Sequence, residues 1–130
     1  MNPLVLVDSS FFITHQRNQL DPFALLKDYE LDYEFAINGV IWAEVLRGRK
    51  DPRLKDHYMA AFSITRMLHL NLAGWQRVAN LAWELNHQGD SIPLTTIITG
   101  VTALEYGATV LTFDRHYQKI PGLTALSDLE

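Results

Sequence analysis

Two acidic residues follow apolar runs in a way that favours chemistry at the edge of a sheet. Asp8 comes directly after the run Leu4–Val7, and Asp114 comes shortly after the run 108–111. Such continuous apolar runs predict strands that are buried on both faces of a parallel sheet. Open α/β sheets hold their ligand crevice at the carboxyl ends of these strands. If the two strands are neighbours, a spacing of about 4.8 Å brings the two carboxylates close together.

Two carboxylates at that distance need a cation if both are to stay ionised in an apolar setting. Mg²⁺ and Mn²⁺ are the hard ions that suit carboxylate and water ligands. Glu44, in an apolar helical stretch, is a candidate third acid. A divalent ion so held can orient a water and offset the charge of a phosphoryl group. Structural roles are the alternative. Asp8 and Asp114 could be helix-cap or turn residues, and Glu44 could face solvent or pair with another side chain.

The composition bounds the class of protein. The chain has 130 residues, a net charge of −4 and no cysteine, which predicts one domain and excludes thiol catalysis and thiolate metal sites. The negative net charge argues against a protein that coats nucleic acid through its overall charge. Five of the eleven basic residues nevertheless fall within 47–55. These residues could contact phosphates, or they could simply form a solvated connection between two helices. The first apolar run is too short for a signal peptide or a membrane span, so we expect a cytoplasmic protein without membrane contact.

Strand and helix patterns alternate along the chain. They predict an α/β fold: a single domain over 1–130, with a mainly parallel central sheet and helices on both faces. Predicted strands lie at Leu4–Val7, Glu34–Ile37, 67–70 and 110–111, with an edge strand near 123. Predicted helices lie at 11–16, 23–28, 40–46, from 51 onward, 72–85 and 95–106, with a helical turn through 116–117.

Several motifs resemble those of the PIN-domain nucleases. Val-Asp-Ser-Ser-Phe-Phe-Ile at 7–13 is similar to their opening strand, and Ile-Trp-Ala-Glu-Val-Leu-Arg-Gly at 41–48 is similar to their acidic helix. Ile-Pro-Leu-Thr at 92–95, the run 103–117 and Ile-Pro-Gly-Leu at 120–123 resemble the VapC-type toxin branch. The resemblance covers essentially the whole chain in the right order, and the segment 107–122 is its most specific part.

The resemblance implies a Mg²⁺-dependent (or Mn²⁺-dependent) endoribonuclease acting on single-stranded or loop RNA. It further implies a dimer that a cognate antitoxin protein holds inactive. The implied metal-site and catalytic acids are Asp8, Glu44 and Asp114. The residues expected to position the substrate around them are Ser10, Thr96, Thr112 and Arg115. We expect the antitoxin to cover Trp42 and the apolar helices over 40–62.

One position departs from the family pattern. The family normally has an Asp directly after the segment that resembles Ile-Pro-Leu-Thr, and this chain has Thr96 there. Threonine is neutral and a poorer ligand for a hard metal than carboxylate. The alternative hypothesis is therefore a catalytically weakened PIN-fold module that binds RNA or an antitoxin-like partner without cleaving. Either Thr95 or Thr96 could also serve as a plain helix N-cap.

A third hypothesis is a phosphotransferase that uses Asp8 as a covalent nucleophile. Such sites usually need a second acid two residues further on, where this chain has Ser10. The chain contains neither a Walker pattern nor a GxGxxG loop for a nucleotide. We therefore rank this hypothesis last.

Overall fold

A computed structural model describes residues 2–129, which contain one five-stranded parallel sheet in the order β3-β2-β1-β4-β5. The strands are β1 (Leu4–Val7), β2 (Glu34–Ile37), β3 (Arg66–Met67), β4 (Thr109–Leu111) and β5 (Ala125–Leu126). The helices are α1 (Ser9–Arg17), α2 (Pro22–Lys27), α3 (Gly39–Arg47), α4 (Pro52–Ser63), α5 (Leu72–His87) and α6 (Leu94–Tyr106), with a short 3-10 helix at Arg115–Lys119. The α/β fold class predicted from the sequence is confirmed.

Strand β1 lies at the centre of the sheet, between β2 and β4. Val5 pairs with Phe35 on one side and Thr109 on the other, and Val7 pairs with Leu111. Val5, Leu6 and Val7 are all buried, as expected of a strand covered on both faces. The predicted adjacency of the first strand and the strand before Asp114 is therefore confirmed.

The strand order places the helices in two layers. The chain steps from β1 to β2 and on to β3 in one direction, and then crosses back to β4. Because parallel connections are right-handed, α1 to α4 cover one face of the sheet and α5 and α6 cover the other. On the first face, an edge-to-face aromatic cluster fills the core, with Phe12 and Phe62 at 5.0 Å between ring centroids.

Polar caps begin most of these helices. Asp21 and Asp51, each followed by a proline, accept hydrogen bonds from Phe23 N and Arg53 N at 3.0 Å. Each pair thus combines a side-chain N-cap with a proline in the first turn of the helix, where its missing N–H costs nothing. Gly107 ends α6 in the left-handed conformation with φ 65°, as its position predicts.

Asn38 joins the two layers at the carboxyl edge of the sheet. Its Oδ1 accepts from Ile41 N at 2.9 Å and so caps α3, while its Nδ2 donates to Thr99 Oγ1 of α6 at 3.2 Å. Asn38 is 4% exposed, so both bonds lie away from water. This one side chain therefore fixes α3 relative to α6.

Two strands lie at positions other than those predicted. Strand β3 covers Arg66–Met67 instead of 67–70. Just after its end, Leu68 N still donates to Ile37 O of β2. The last strand begins at Ala125 instead of near 123, because a turn with Gly122 at φ 79° precedes it.

No helix within residues 2–129 is long and apolar enough to cross a bilayer.

Replacing Asn38 by alanine should destabilise the fold more than removing an exposed cap. Asn38→Ala loses both the cap of α3 and the buried hydrogen bond to Thr99, so we expect a loss of about 2–4 kcal/mol in the free energy of unfolding. Asn71→Ala, which removes the exposed cap of α5, should cost only about 1 kcal/mol. Urea unfolding measures both values, and equal losses would show that Asn38 acts as a cap alone.

Candidate active site

The three predicted acids line one cleft at the carboxyl edge of the sheet. The cleft has a volume of ≈ 190 Å³, and its walls come from the end of β1, α3, the start of α6 and the segment after β4. Its lining residues are Asp8, Ser9, Ser10, Glu44, Pro93, Thr95, Thr96, Asp114 and Tyr117. The fold therefore brings Asp8, Glu44 and Asp114 together in one cleft, and their catalytic and metal-binding roles stay predictions.

Asp8 is a buried carboxylate that four donors hold in one orientation. Oδ2 accepts from the hydroxyls of Ser10 and Thr112 at 2.8 and 2.9 Å, and more weakly from Ser10 N at 3.4 Å. Oδ1 accepts from the hydroxyl of Tyr117 at 2.7 Å. Asp8 also occupies the N-cap position of α1, so the cap and the candidate site residue are the same side chain.

Two hydroxyls connect the start of α1 with the segment after β4. Ser10 Oγ and Thr112 Oγ1 lie 3.1 Å apart. Ser10 Oγ accepts from Phe113 N at 3.0 Å, and Thr112 Oγ1 accepts from Asp114 N at 2.9 Å. Both hydroxyls thus position the acids, and their predicted contact with a substrate stays a prediction.

Tyr117 is a site residue that the sequence did not single out. Its side chain is 1% exposed, and burial, followed by the negative charge of Asp8, raises its pKa far above the ordinary value. The phenol therefore stays protonated and donates to Asp8. The only signal in the sequence was its position three residues after Asp114, in a segment that we expected to be a plain helical turn.

Glu44 reaches the cleft from α3. Ile41 and Val45 on the same helix are fully buried, which fixes the rotation of α3 against the core. Glu44 Oε1 accepts from Ser9 Oγ at 3.1 Å. Ser9, like Tyr117, was missed by the sequence prediction.

Asp114 is held by Thr96 and His116. Asp114 Oδ2 accepts from Thr96 Oγ1 at 3.2 Å, and Oδ1 accepts from His116 N at 2.9 Å and lies 2.7 Å from His116 Nδ1. Helix α6 begins at Leu94 after Pro93, without a side-chain cap, so the expectation that Thr95 or Thr96 caps it is wrong. The Thr96 hydroxyl serves Asp114 instead.

The remaining candidates lie outside the cleft. Arg115 lines a neighbouring groove with Thr112 and Asp114, and its predicted phosphate contact stays a prediction. Arg49 donates from Nε to Val45 O and lies over the ring of Tyr58, so it packs against its own chain. Asp90 forms an ion pair with Lys119 at 3.1 Å and does not line the cleft.

The donor set has the chemistry of a hard-metal site. Carboxylate and hydroxyl oxygens are the ligands that Mg²⁺ and Mn²⁺ prefer. However, between residues 2 and 129 no three His, Cys, Asp or Glu side chains are grouped closely enough to form a ready ligand set. The three acids therefore line a common cleft without forming a compact ligand cluster.

The comparisons with known proteins agree with this fold. The PIN domain family model matches residues 5–123. No curated protein matches the sequence closely enough to count as a relative. The chain thus belongs to the PIN domain family, a family of nucleases that generally use divalent metal ions.

Solved structures with the same fold include several toxin–antitoxin proteins. VapBC2 from Rickettsia felis, solved with a DNA fragment from its promoter, is 17% identical with a TM-score of 0.78, covering 94% of this chain and 96% of that one. VapBC-1 from nontypeable Haemophilus influenzae is 16% identical with a TM-score of 0.77 and the same coverage. VapC20 from Mycobacterium tuberculosis, described as a sarcin-ricin loop cleaving toxin, is 13% identical with a TM-score of 0.68, covering 92% and 96%. At these identities the likeness establishes the fold.

Removing the Tyr117 hydroxyl should test how much the Asp8 network contributes to stability. Hydrogen bonds to charged groups contribute about 1.5–3 kcal/mol and neutral ones about 0.5–1.5 kcal/mol, so Tyr117→Phe should cost more than Tyr58→Phe. Tyr58 is the matched control, because it is fully buried and donates to the neutral Gln16 Oε1 at 2.8 Å. Denaturant unfolding gives both values, and an equal or larger loss for Tyr58→Phe would contradict the charged bond to Asp8.

Proposed function

We propose that this chain is a metal-dependent endoribonuclease of the VapC-like toxin type that cleaves single-stranded or loop RNA. The observation that carries the proposal is that Asp8, Glu44 and Asp114 line a single cleft of a PIN fold. A narrow cleft at a sheet edge suits unstacked strands, since a duplex cannot bring its backbone into such a space.

The proposed metal ligands are Asp8, Glu44 and Asp114, with Mg²⁺ or Mn²⁺ as the ion. When bound, such an ion would activate water and offset charge on the phosphate under attack. The chain itself contributes preorganisation: Ser10, Thr112 and Tyr117 fix the Asp8 carboxylate before any ligand arrives. Groups so held need little rearrangement during the reaction.

Substrate positioning is proposed for Ser10, Thr96, Thr112 and Arg115. Arg115 follows Asp114 directly and is exposed, so its guanidinium can reach a phosphate beside the cleft. Thr96 lines the cleft, and its hydroxyl lies between the Asp114 carboxylate and the open space.

The proposed partner is an antitoxin protein, which would hold the toxin inactive in the cytoplasm, where RNA is the available target. The solved neighbours from Rickettsia felis and Haemophilus influenzae are VapBC structures, which supports such a partner. We propose that it covers Trp42 and the outer faces of α3 and α4. A homodimer belongs to the same proposal, with sedimentation of the purified chain as its test.

The second candidate is a weakened PIN module that binds RNA or an antitoxin-like partner without cleaving. Two points favour it: Thr96 supplies a hydroxyl where the resemblance leads us to expect a carboxylate, and the acids are not grouped as a ready ligand set within residues 2–129. Metal-dependent cleavage separates the two candidates.

Cleavage of a fluorogenic single-stranded RNA in Mg²⁺, Mn²⁺ and EDTA tests the proposal. Activity should require metal, and Asp8→Asn should lower it by about 100-fold or more, because a preorganised charge at the cleft is lost. Asp90→Asn is the matched control, since Asp90 is paired with Lys119 outside the cleft, and it should leave activity unchanged. Cleavage that persists in EDTA or in Asp8→Asn would refute the assignment.

Thr96→Asp asks whether the missing carboxylate limits metal binding. An added negative charge facing the cleft should tighten Mg²⁺ binding by about 10- to 100-fold, measured by calorimetry and by the Mg²⁺ dependence of cleavage. Thr96→Asn changes the side chain without adding charge and should give no such gain. If Thr96→Asp binds Mg²⁺ no more tightly than the unaltered chain, the missing carboxylate does not limit metal binding.

A further inference from the structure

A second cavity, here called the ring pocket, lies beside the cleft on the face of the sheet that carries α1 and α2. Its volume is ≈ 380 Å³, within the about 300–1,000 Å³ of small-ligand pockets. It is lined mainly by rings and apolar side chains, including Phe11, His15, Leu25, Tyr29, Phe113 and Leu129. None of the proposed metal ligands lines it, so the ring pocket is separate from the cleft.

Three rings of the pocket are in mutual contact. Phe11 and Phe113 are nearly parallel, with an interplanar angle of 18° and centroids 6.1 Å apart. The imidazole of His15 stands edge-on to both, at 4.5 Å from Phe11 and 5.4 Å from Phe113. Phe113 is 40% exposed although it is a large apolar residue. An exposed aromatic face backed by a second ring is a stacking platform for another planar group.

His15 carries hydrogen-bonding capacity that the fold does not use. Its Nδ1 is buried and has no hydrogen-bond partner among the described residues. Burial lowers the pKa of His15 below its ordinary value, so at neutral pH the ring is uncharged and offers one donor and one acceptor. Because Nδ1 is closed to solvent in this structure, the imidazole must rotate slightly to present it to the polar edge of a heterocycle in the pocket.

The ring pocket is joined to the cleft through Phe113. Phe113 N donates to Ser10 Oγ at 3.0 Å, and Ser10 Oγ donates in turn to Asp8 at 2.8 Å. Thr112 and Asp114, the chain neighbours of Phe113, both belong to the site network. A nucleic acid strand with a phosphate at the cleft would therefore place its adjoining base beside Phe113.

We propose that the ring pocket binds one nucleobase of single-stranded RNA, next to the phosphate held at the cleft. Phe113 stacks on the base, and the imidazole of His15 hydrogen-bonds its edge. The inference rests on the proposed ribonuclease function and adds to it a base-recognition site. Asp28, which also lines the pocket, favours bases with an exocyclic amine, namely adenine, cytosine and guanine, over uracil.

Binding of a short fluorescein-labelled single-stranded RNA in EDTA tests the proposal without cleavage. In the unaltered chain, an abasic site at one position should weaken binding by about 5- to 100-fold. Phe113→Leu, which keeps an apolar side chain but removes the π face, should weaken binding of the intact RNA by a similar factor. In that variant the same abasic site should cause no further loss, because both changes remove one interaction.

Matched variants separate stacking from general damage. Phe113→Tyr keeps an aromatic ring and should retain RNA binding. Tyr106→Leu removes an aromatic side chain of similar exposure, 38%, at the end of α6, and it should leave RNA binding unchanged. Asp28→Asn should reduce the preference for amine-bearing bases more than it reduces overall affinity, and His15→Phe should weaken binding of the intact RNA. Thermal unfolding of each variant verifies that it folds.

Three outcomes would overturn the inference. They are additive losses from Phe113→Leu and the abasic site, unchanged RNA binding in Phe113→Leu, and RNA binding that no abasic site weakens. Weaker binding of a partner protein with unchanged RNA binding would assign the pocket to the protein instead. Cleavage of the same RNA in Mg²⁺ tests the proposed function separately. Base-dependent binding without cleavage would support the ring pocket as a base-binding site and favour the weakened PIN module over the nuclease.

Discussion

The rest of the site depends on one physical constraint, a carboxylate that is buried at the end of a central strand. Asp8 is 5% exposed, and a buried charge is costly unless donors replace the water it has lost. The donors come from α1, the segment after β4 and the 3-10 helix. These three pieces of chain must therefore meet at Asp8, which fixes the floor of the cleft before any ligand binds.

The same logic explains the form of the site around Asp114. Its carboxylate accepts from Thr96 and His116, so the chain satisfies this acid with its own donors. An aspartate in place of Thr96 would instead set two negative charges side by side, which a cation must compensate. With a hydroxyl at this position, the cleft attracts a cation less strongly. In return, the cleft is more stable when no cation is bound. The absence of a ready ligand set within residues 2–129 is consistent with that exchange.

The parts of the fold that local patterns dictate were predictable from the sequence. Continuous apolar runs gave β1 and β4, and Asp-Pro pairs and Gly107 marked helix ends. Short edge strands were misplaced, because two-residue pairings carry too few side chains to show a period. Ser9 and Tyr117 were missed because their roles arise from tertiary contacts with Glu44 and Asp8. No spacing in the sequence records such contacts.

Phe113 connects the cleft with the ring pocket. Its backbone N–H is tied to Ser10, and its neighbours on either side belong to the acid network, so its position is set by the site. Its side chain nevertheless points away from that network, into contact with Phe11 and His15, and stays 40% exposed. An aromatic face that is both rigid and open beside a phosphate-sized cleft is what recognition of an unstacked base requires.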